Sequence, residues 1–411
     1  MRRSSAWLLA WLATAGVVPA AAESRVDDAT ELARSSNAFG FDLYARLRAR
    51  PGNQVVSPAS LTTALAMTWG GARGETAAQM RRVLHFAGAP AEVMRASGRL
   101  AASLTDPARP LVFRIANRLF AEKSYRLEPA FESATRSAYG AATEALDFKG
   151  APEPARQRIN GWVESQTERR IRDLVPPNGV NADTRLALVN AIYFLGDWQE
   201  PFTREATRLA PFHLTAAATR DVPTMHRVGT LRLAEVAGLK ALELPYTGAA
   251  LSMLIVLPDA VDGLPALEAS LSTARLDAIV AALGSARVLV ALPKFEIDTA
   301  TSLALREQLE SMGLALAFDK ASADFTGIAN PPDPRDRLSI GNVFHKAFVK
   351  VDEKGTEAAA ATAVVMQRAG AAAPSAKPIE FIADHPFLFF IRDNATGLIV
   401  FMGRVSEPLS K

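Results

Sequence analysis

The 411-residue chain contains no cysteine. Disulfides, thiolate metal sites and a lipid-modified N-terminal cysteine are therefore excluded, and the fold is held by packing and hydrogen bonds alone. Histidine is almost as scarce, at five residues: His85, His213, His226, His345 and His385. No HExxH occurs, and no pair has the helical spacing of metal ligands. The GxSxG elbow, the GxGxxG fingerprint and the Walker phosphate loop are missing as well. Gly70-Gly71-Ala72-Arg73-Gly74 is glycine-rich but follows a helix-like stretch, which makes it a turn. Asp384-His385 could belong to a triad; directly before Pro386 it reads more simply as a turn entering a strand. Asn394-Ala395-Thr396 is a formal glycosylation sequon, and its place in a hairpin turn accounts for it. The sequence thus offers no enzyme chemistry, no metal centre and no cofactor site.

Charge of one sign is not concentrated either. The formal net charge is +3, and loss of Arg2 and Arg3 would bring it to about +1. The densest basic spots are Arg46-Leu47-Arg48-Ala49-Arg50 and Thr167-Glu168-Arg169-Arg170-Ile171-Arg172. Each reads as a solvated helix end or face, so nucleic acid is not an expected partner. No basic helix points to heparin-type activation. Beyond the N-terminus no apolar run is long enough to cross a bilayer, and no membrane partner is expected.

The N-terminus itself reads as an export signal. Arg2 and Arg3 precede an apolar run over residues 6–18, and Ala20-Ala21-Ala22 supplies small residues for cleavage. The expected division is a signal peptide over residues 1–22 and one domain over residues 23–411, secreted to the periplasm or the medium. Sec and twin-arginine routes both remain open. Length alone would allow two or three domains at roughly 150 residues each, but no linker separates them.

Within the mature chain, Leu32, Phe39, Leu43 and Leu47 recur at helical spacing, predicting a helix over residues 27–49. Ser57-Pro58 is an N-cap followed by proline at the first helical position. Further helices are predicted at GETAAQMRRVL, at EPAFESATRSAYG (ending on Gly140), at ARQRINGWVESQTE and over residues 301–312. LVFRIANRLF reads as a strand. LALVNAIYFLG, residues 186–196, is apolar nearly throughout, as in a strand buried on both faces. LKALELPY, LSMLIVL, VLVALPKFEI and GNVFHKAFVKVDE follow as strands, and PFLFFIRDNATGLIVFMGR as a hairpin. Helices early and antiparallel-looking strands late make an α+β chain.

Two polar residues interrupt these apolar strands. Asn190 sits in the middle of LALVNAIYF. His345 shares a face with Val343, Ala347, Val349 and Val351, while Phe344 and Phe348 alternate with Lys346 and Lys350. A buried asparagine and a buried histidine each need partners, so both are predicted in a polar network that fixes strand position.

One segment commits to no structure. KGTEAAAATAVV favours helix through its alanines and strand through its end, and GAAAPSAKP behind it favours neither. At strand periodicity Thr356, Ala358, Ala360, Thr362, Val364 and Met366 share one face and carry no charge. Glu357 points the other way, and the first charge on the uncharged face is Arg368.

Four stretches in the same order resemble the serpin family of serine protease inhibitors, over essentially the whole mature chain. They are Asn53-Gln54-Val55-Val56-Ser57-Pro58-Ala59-Ser60, then Asn190-Ala191-Ile192-Tyr193-Phe194-Leu195-Gly196-Asp197-Trp198, then DEKGTEAAAATA, and finally DHPFLFFIRDNATGLIVFMGR. In the second, Tyr193 stands where the family usually has Phe. The resemblance implies three sheets, about eight or nine helices and an exposed reactive-centre loop, here about residues 353–378. It implies a shutter at Ser57, Ser60, Asn190 and His345, and a breach at Trp198, Lys294 and Glu353. It also implies a hinge at Gly355, Thr356, Glu357, Ala358, Ala359, Ala360, Ala361 and Thr362.

The activity it implies is that of a suicide substrate. A target serine protease, with a cysteine protease as the alternative, cuts the loop and is trapped as a covalent acyl-enzyme when the loop inserts into the central sheet. Counting from Glu353 as the family does places the reactive bond at Ala369-Gly370, which suits elastase-like or subtilisin-like proteases. Arg368-Ala369 is the alternative and suits trypsin-like ones; Met366 is a third choice. The chain is expected to be a monomer. A non-inhibitory carrier or chaperone-like binder of the same family, and a secreted hydrolase, are the competing readings.

Overall fold

Helices crowd the first half of the chain and strands the second, as the pattern predicts. The computed structural model describes residues 20–140, 143–298, 302–356 and 377–409. The order begins α1 (Ala20–Leu47), β1 (Gln54–Val56), α2 (Pro58–Trp69), α3 (Gly74–Val83), α4 (Pro90–Leu104), β2 (Val112–Glu122), α5 (Pro129–Tyr139), β3 (Glu144–Leu146) and α6 (Pro152–Gln166). Next come β4 (Leu186–Asp197), β5 (Arg208–Thr215), β6 (Ala218–Val236), β7 (Leu239–Pro245), β8 (Leu251–Pro258), α7 (Leu264–Ala269), α8 (Thr273–Ala281), β9 (Gly284–Pro293) and β10 (Phe295–Asp298). The chain closes with β11 (Leu303–Ala304), α9 (Arg306–Ser311), β12 (Ile340–Val351), β13 (Gly355–Thr356), β14 (Ile379–Ile382), β15 (Phe387–Asp393) and β16 (Ile399–Val405).

Local chemistry sets the ends of these elements. Ser57 accepts the Ser60 amide at 3.2 Å and Pro58 opens α2, satisfying a donor that the first helical turn leaves free. Gly140 closes α5 at φ 65°, a conformation that costs glycine little. The helix predicted over residues 301–312 is shorter than the sequence implies. Leu303 and Ala304 instead pair with His345 and Phe344 of β12, and the Leu305 amide donates to Val343. An open strand edge outcompetes helix propensity there, and α9 begins only at Arg306.

The strands form two sheets among the described residues. The central one runs β10-β12-β13-β4-β2-β3, with β11 against β12 and a direct β12–β4 pairing. The other runs β1-β16-β15-β8-β7-β6-β9-β14, with β5 against β6. The second and third sheets implied by the resemblance are joined here, because the 19-residue β6 pairs with β7 along one part and with β5 and β9 along the rest.

β4 carries protein on both faces, as its unbroken apolar run requires. Ile192 and Phe194 pack with Ala347, Val349 and Val351 against the other sheet. Val189, Ala191 and Tyr193 pack with Phe344 and Phe348 under Ile159 and Val163 of α6. Each large apolar side chain so buried contributes about 1.5–3 kcal/mol.

Candidate functional site: a seam in the central sheet

β4 and β12 lie side by side and parallel, from Leu186 against Ile340 to Tyr193 against Phe348. Above that point they part, and β13 fills the gap. Gly355 and Thr356 pair antiparallel with Asp197 and Gly196 of β4, and Thr356 also pairs with Val351 of β12. The sheet is therefore closed below and already split at the top by two residues of the segment that the sequence leaves undecided. Of the hinge residues, Gly355 and Thr356 are placed. Glu357, Ala358, Ala359, Ala360, Ala361 and Thr362, together with Arg368, Ala369 and Gly370, lie outside the described residues.

Glycine is required at the point of entry. A Cβ on Gly355 would overlap the Gly196 carbonyl oxygen and sit 2.7 Å from the Asp197 Cα. Thr356 is fully buried, with its hydroxyl 2.7 Å from the Tyr246 hydroxyl. Tyr246 is itself held between Trp198, stacked at 4.7 Å, and Phe194, edge-on at 5.0 Å.

Around this entry the expected breach residues converge. Trp198 donates its indole N–H to the Asp352 carbonyl at 3.1 Å, and its amide to the Lys354 carbonyl at 2.7 Å. Lys294 Nζ lies 3.0 Å from Glu353 Oε2, and the Thr207 hydroxyl donates to Glu353 Oε1 at 2.8 Å. Burial pushes the Glu353 carboxyl up, but hydrogen bonds from its own backbone and from Lys294 and Thr207 outweigh it and hold the group below its ordinary value.

Midway down the seam the two predicted polar residues meet. His345 and Asn190 are register partners, and the imidazole Nδ1 bonds the Asn190 side-chain oxygen. The Ser57 amide donates to Nε2 at 3.1 Å. Nε2 is therefore the acceptor and Nδ1 carries the proton, with Asn190 as its acceptor. The Asn190 amide donates to Ser60 Oγ at 2.6 Å, and Ser57 Oγ donates to the Val400 carbonyl at 2.6 Å. Every polar atom of the His345 ring is used inside the protein. Complete burial lowers its pKa to about 3, so it stays neutral.

Sequence reasoning missed Asn117. It lies opposite Asn190 on β2, its side-chain oxygen accepts from the Asn190 amide, and its own amide donates to the Ser60 carbonyl at 3.3 Å. A polar residue in mid-strand in LVFRIANRLF was the available signal, the same one that marks Asn190. Tyr246 and Thr207 carried no such signal.

The remaining candidates have structural partners. His385 places Nδ1 2.7 Å from Asp384 and Nε2 2.6 Å from the Pro258 carbonyl, leaving no ring nitrogen to act as a base. Asn394 donates to the Ala249 carbonyl at 2.9 Å and accepts from Ser252 at 2.8 Å, which ties the sequon into its turn. Carbonyls of the Arg48-Ala49-Arg50 stretch accept from Arg404, which pairs with buried Glu268. That basic spot is a helix end. No group of acidic or histidine side chains among the described residues is arranged to hold a metal ion.

The resemblance implies a breach where the loop first enters the sheet and a shutter beneath the point where it parts, and comparison with known proteins gives the family. The family model described as Serpin (serine protease inhibitor) matches residues 34–408. The chain belongs to the serpin family. This serpin is 40% identical over 388 residues to the leukocyte elastase inhibitor of Bos taurus, covering 92% of this chain and 100% of that one. It is 41% identical to an uncharacterised serpin-like protein of Thermococcus kodakarensis, covering 90% and 84%. Uncleaved ovalbumin superposes with a TM-score of 0.82 at 30% identity, over 92% of this chain and 100% of that one. Serpin48 of Tenebrio molitor superposes at 0.80 with 33% identity, over 92% and 98%. The chain is an inhibitor of serine proteases and not an enzyme.

Proposed function

We propose that this serpin traps an elastase-like serine protease by inserting residues 357–366 between β4 and β12. The observation that carries the reading is β13, which already pairs with both seam strands at their upper ends. Its register fixes where each later residue of the hinge would land. Continued antiparallel to both strands, Thr362 arrives between Asn190 and His345, and Met366 arrives opposite Leu186, where β4 ends. Thr356 faces the core, so Ala358, Ala360, Thr362 and Val364 face it too. Small uncharged side chains there enter without a steric or desolvation barrier, and Arg368 falls beyond the end of the strand. Thr362 brings a hydroxyl, both donor and acceptor, to the place where the Asn190–His345 bond must open.

The chemistry is that of an interrupted proteolysis. The protease serine attacks the carbonyl of Ala369, the Ala369-Gly370 bond breaks, and an ester joins the loop to the enzyme. Insertion then replaces one parallel ladder by two antiparallel ones. The gain is about ten hydrogen bonds at ~1 kcal/mol each, comparable with the ~5–15 kcal/mol that stabilises an ordinary domain. Extended at ~3.3 Å per residue, residues 353–369 span about 50 Å and carry the protease across the molecule before water completes hydrolysis. The native state is held by a kinetic barrier, not by equilibrium.

The test is a gel. Mixed with an elastase-like and a trypsin-like protease, the protein should form an SDS-resistant adduct with the first. Cleavage without adduct would replace this reading by that of a non-inhibitory carrier. We also propose export of a monomer after removal of residues 1–22, which the basic pair, the apolar run and the alanine triplet support; the N-terminal sequence of protein recovered outside the cytoplasm tests it.

A further inference from the structure

The basic stretch Thr167-Glu168-Arg169-Arg170-Ile171-Arg172 is not a free helix face. It crosses the outside of the seam as a strap tethered on both sides. On one side Glu168 pairs with Arg114 of β2 at 2.8 Å. On the other, the Arg172 carbonyl accepts from Lys346 of β12 at 3.4 Å. Between these tethers Ile171 is buried against the sheet with Tyr193 and Phe348, the last facing pair of the closed seam.

Where the strap meets β12 and β10 it borders an open cleft of about 320 Å³. Arg169, Arg170 and Arg172 line it from the strap, and Lys346 and Lys350 from β12. The acidic groups facing the same space are Glu296, 3.2 Å from Lys350, and Asp298, 3.5 Å from Lys346. They pair with the two lysines, and Arg169 and Arg172 keep the lining positive without counting Arg170. Lys346 is only 6% exposed, and its contacts to Asp298 and the Arg172 carbonyl are both long.

The strap turns sharply where it leaves the helix. Glu168 and Arg169 have φ of 50° and 62°. Glycine or asparagine would hold that conformation at less cost.

We propose that this cleft binds a compact polyanion carrying phosphate or sulfate groups, and that the bound anion acts as a brake on insertion. Guanidinium groups recognise such oxyanions through paired N–H donors. Bound there, the anion fastens the strap to β12 while Glu168 holds it to β2. Insertion must move β12 away from β4 by one strand spacing, about 4.8 Å, and so works against the clamp. Sequence alone did not reveal the site, because its cations come from two segments far apart in the chain. The brake rests on the inhibitory reading; the binding does not.

The experiment titrates inorganic tripolyphosphate, and separately a sulfated hexasaccharide, into the intact full-chain protein. Calorimetry and melting are the readouts, with sodium chloride at matched ionic strength as control. The expected result is saturable binding, a melting point raised beyond the salt control, and, with the target protease, an unchanged rate of cleavage but a several-fold lower adduct yield, because the ester is hydrolysed while insertion is held back. Arg169→Asn, which also relieves the backbone, and Arg172→Gln should each weaken binding about tenfold. Lys350→Gln, outside the strap, should weaken it as well. Variants that bind like the parent, or a response no larger than that of sodium chloride, would overturn the site. Equally tight binding by the loop-cleaved protein would overturn the brake. Binding without any protease adduct would support the site while the inhibitory reading fails. Response to the hexasaccharide alone would identify a sulfated glycan as the source, and response to tripolyphosphate alone a phosphorylated one.

Discussion

The hydroxyls of Tyr246 and Thr356 are 2.7 Å apart in a fully buried setting. This bond fastens the first inward-facing residue of the hinge inside the sheet before any protease has acted. Tyr246→Phe leaves the Thr356 hydroxyl buried without a partner, at a cost of about 1–3 kcal/mol. The urea midpoint of the intact protein should fall accordingly, with the ring stacking on Trp198 retained.

Thr356→Arg and Gly355→Val challenge the entry itself. An arginine at a position with no solvent exposure cannot follow the hinge inward, and a branched side chain at Gly355 collides with the backbone of Gly196 and Asp197. Both variants should be cut by the target protease at the parent rate while adduct yield on gels falls toward zero. An unchanged adduct yield would remove the insertion argument.

The seam should also respond to pH. His345 has a folded pKa of about 3, against about 6.5 in an unfolded chain. Its neutral form is the native one, so its contribution is complete above pH 6.5. That contribution is lost as pH falls from 6.5 toward 3, by about 1.4 kcal/mol per unit. His385 works in the opposite direction and in another window: burial lowers its pKa, but Asp384 and the Pro258 carbonyl outweigh it and raise the group, so its contribution is complete below about pH 6.5 and is lost as pH rises. The check is therefore a comparison. Urea midpoints measured across this range should slope less steeply for His345→Gln than for the parent.

Cleavage position has its own readout. Mass spectrometry of the C-terminal peptide released by an elastase-like protease should show Gly370 as its first residue. A peptide beginning at Ala369 would move the reactive bond to Arg368-Ala369 and the target class to trypsin-like proteases. Ala369→Arg should shift inhibition from the first class toward the second.

Much of this organisation was legible because strand periodicity and burial leave marks in a sequence. The unbroken apolar run of β4 implied cover on both faces. Asn190 and His345 stood out because a polar residue in such a run needs partners, although nothing in the pattern said that they were each other's partner across parallel strands. Asn117 left the same mark on a strand with more mixed polarity and was passed over. The helix expected over residues 301–312 lost its first part because the edge of β12 offered Leu303 and Ala304 a ladder. Tyr246, and the strap over the seam, depend on contacts between distant segments that no local pattern encodes.

The central claim is that the hinge completes a strand between β4 and β12 once the loop is cut. Melting of the intact and the loop-cleaved protein, compared under identical conditions, tests it most directly. A cleaved protein that melts well above the intact one, by about 12 °C if ~10 kcal/mol of new pairing forms in a chain of this size, is the expected result. A cleaved protein that melts at or below the intact one would contradict it.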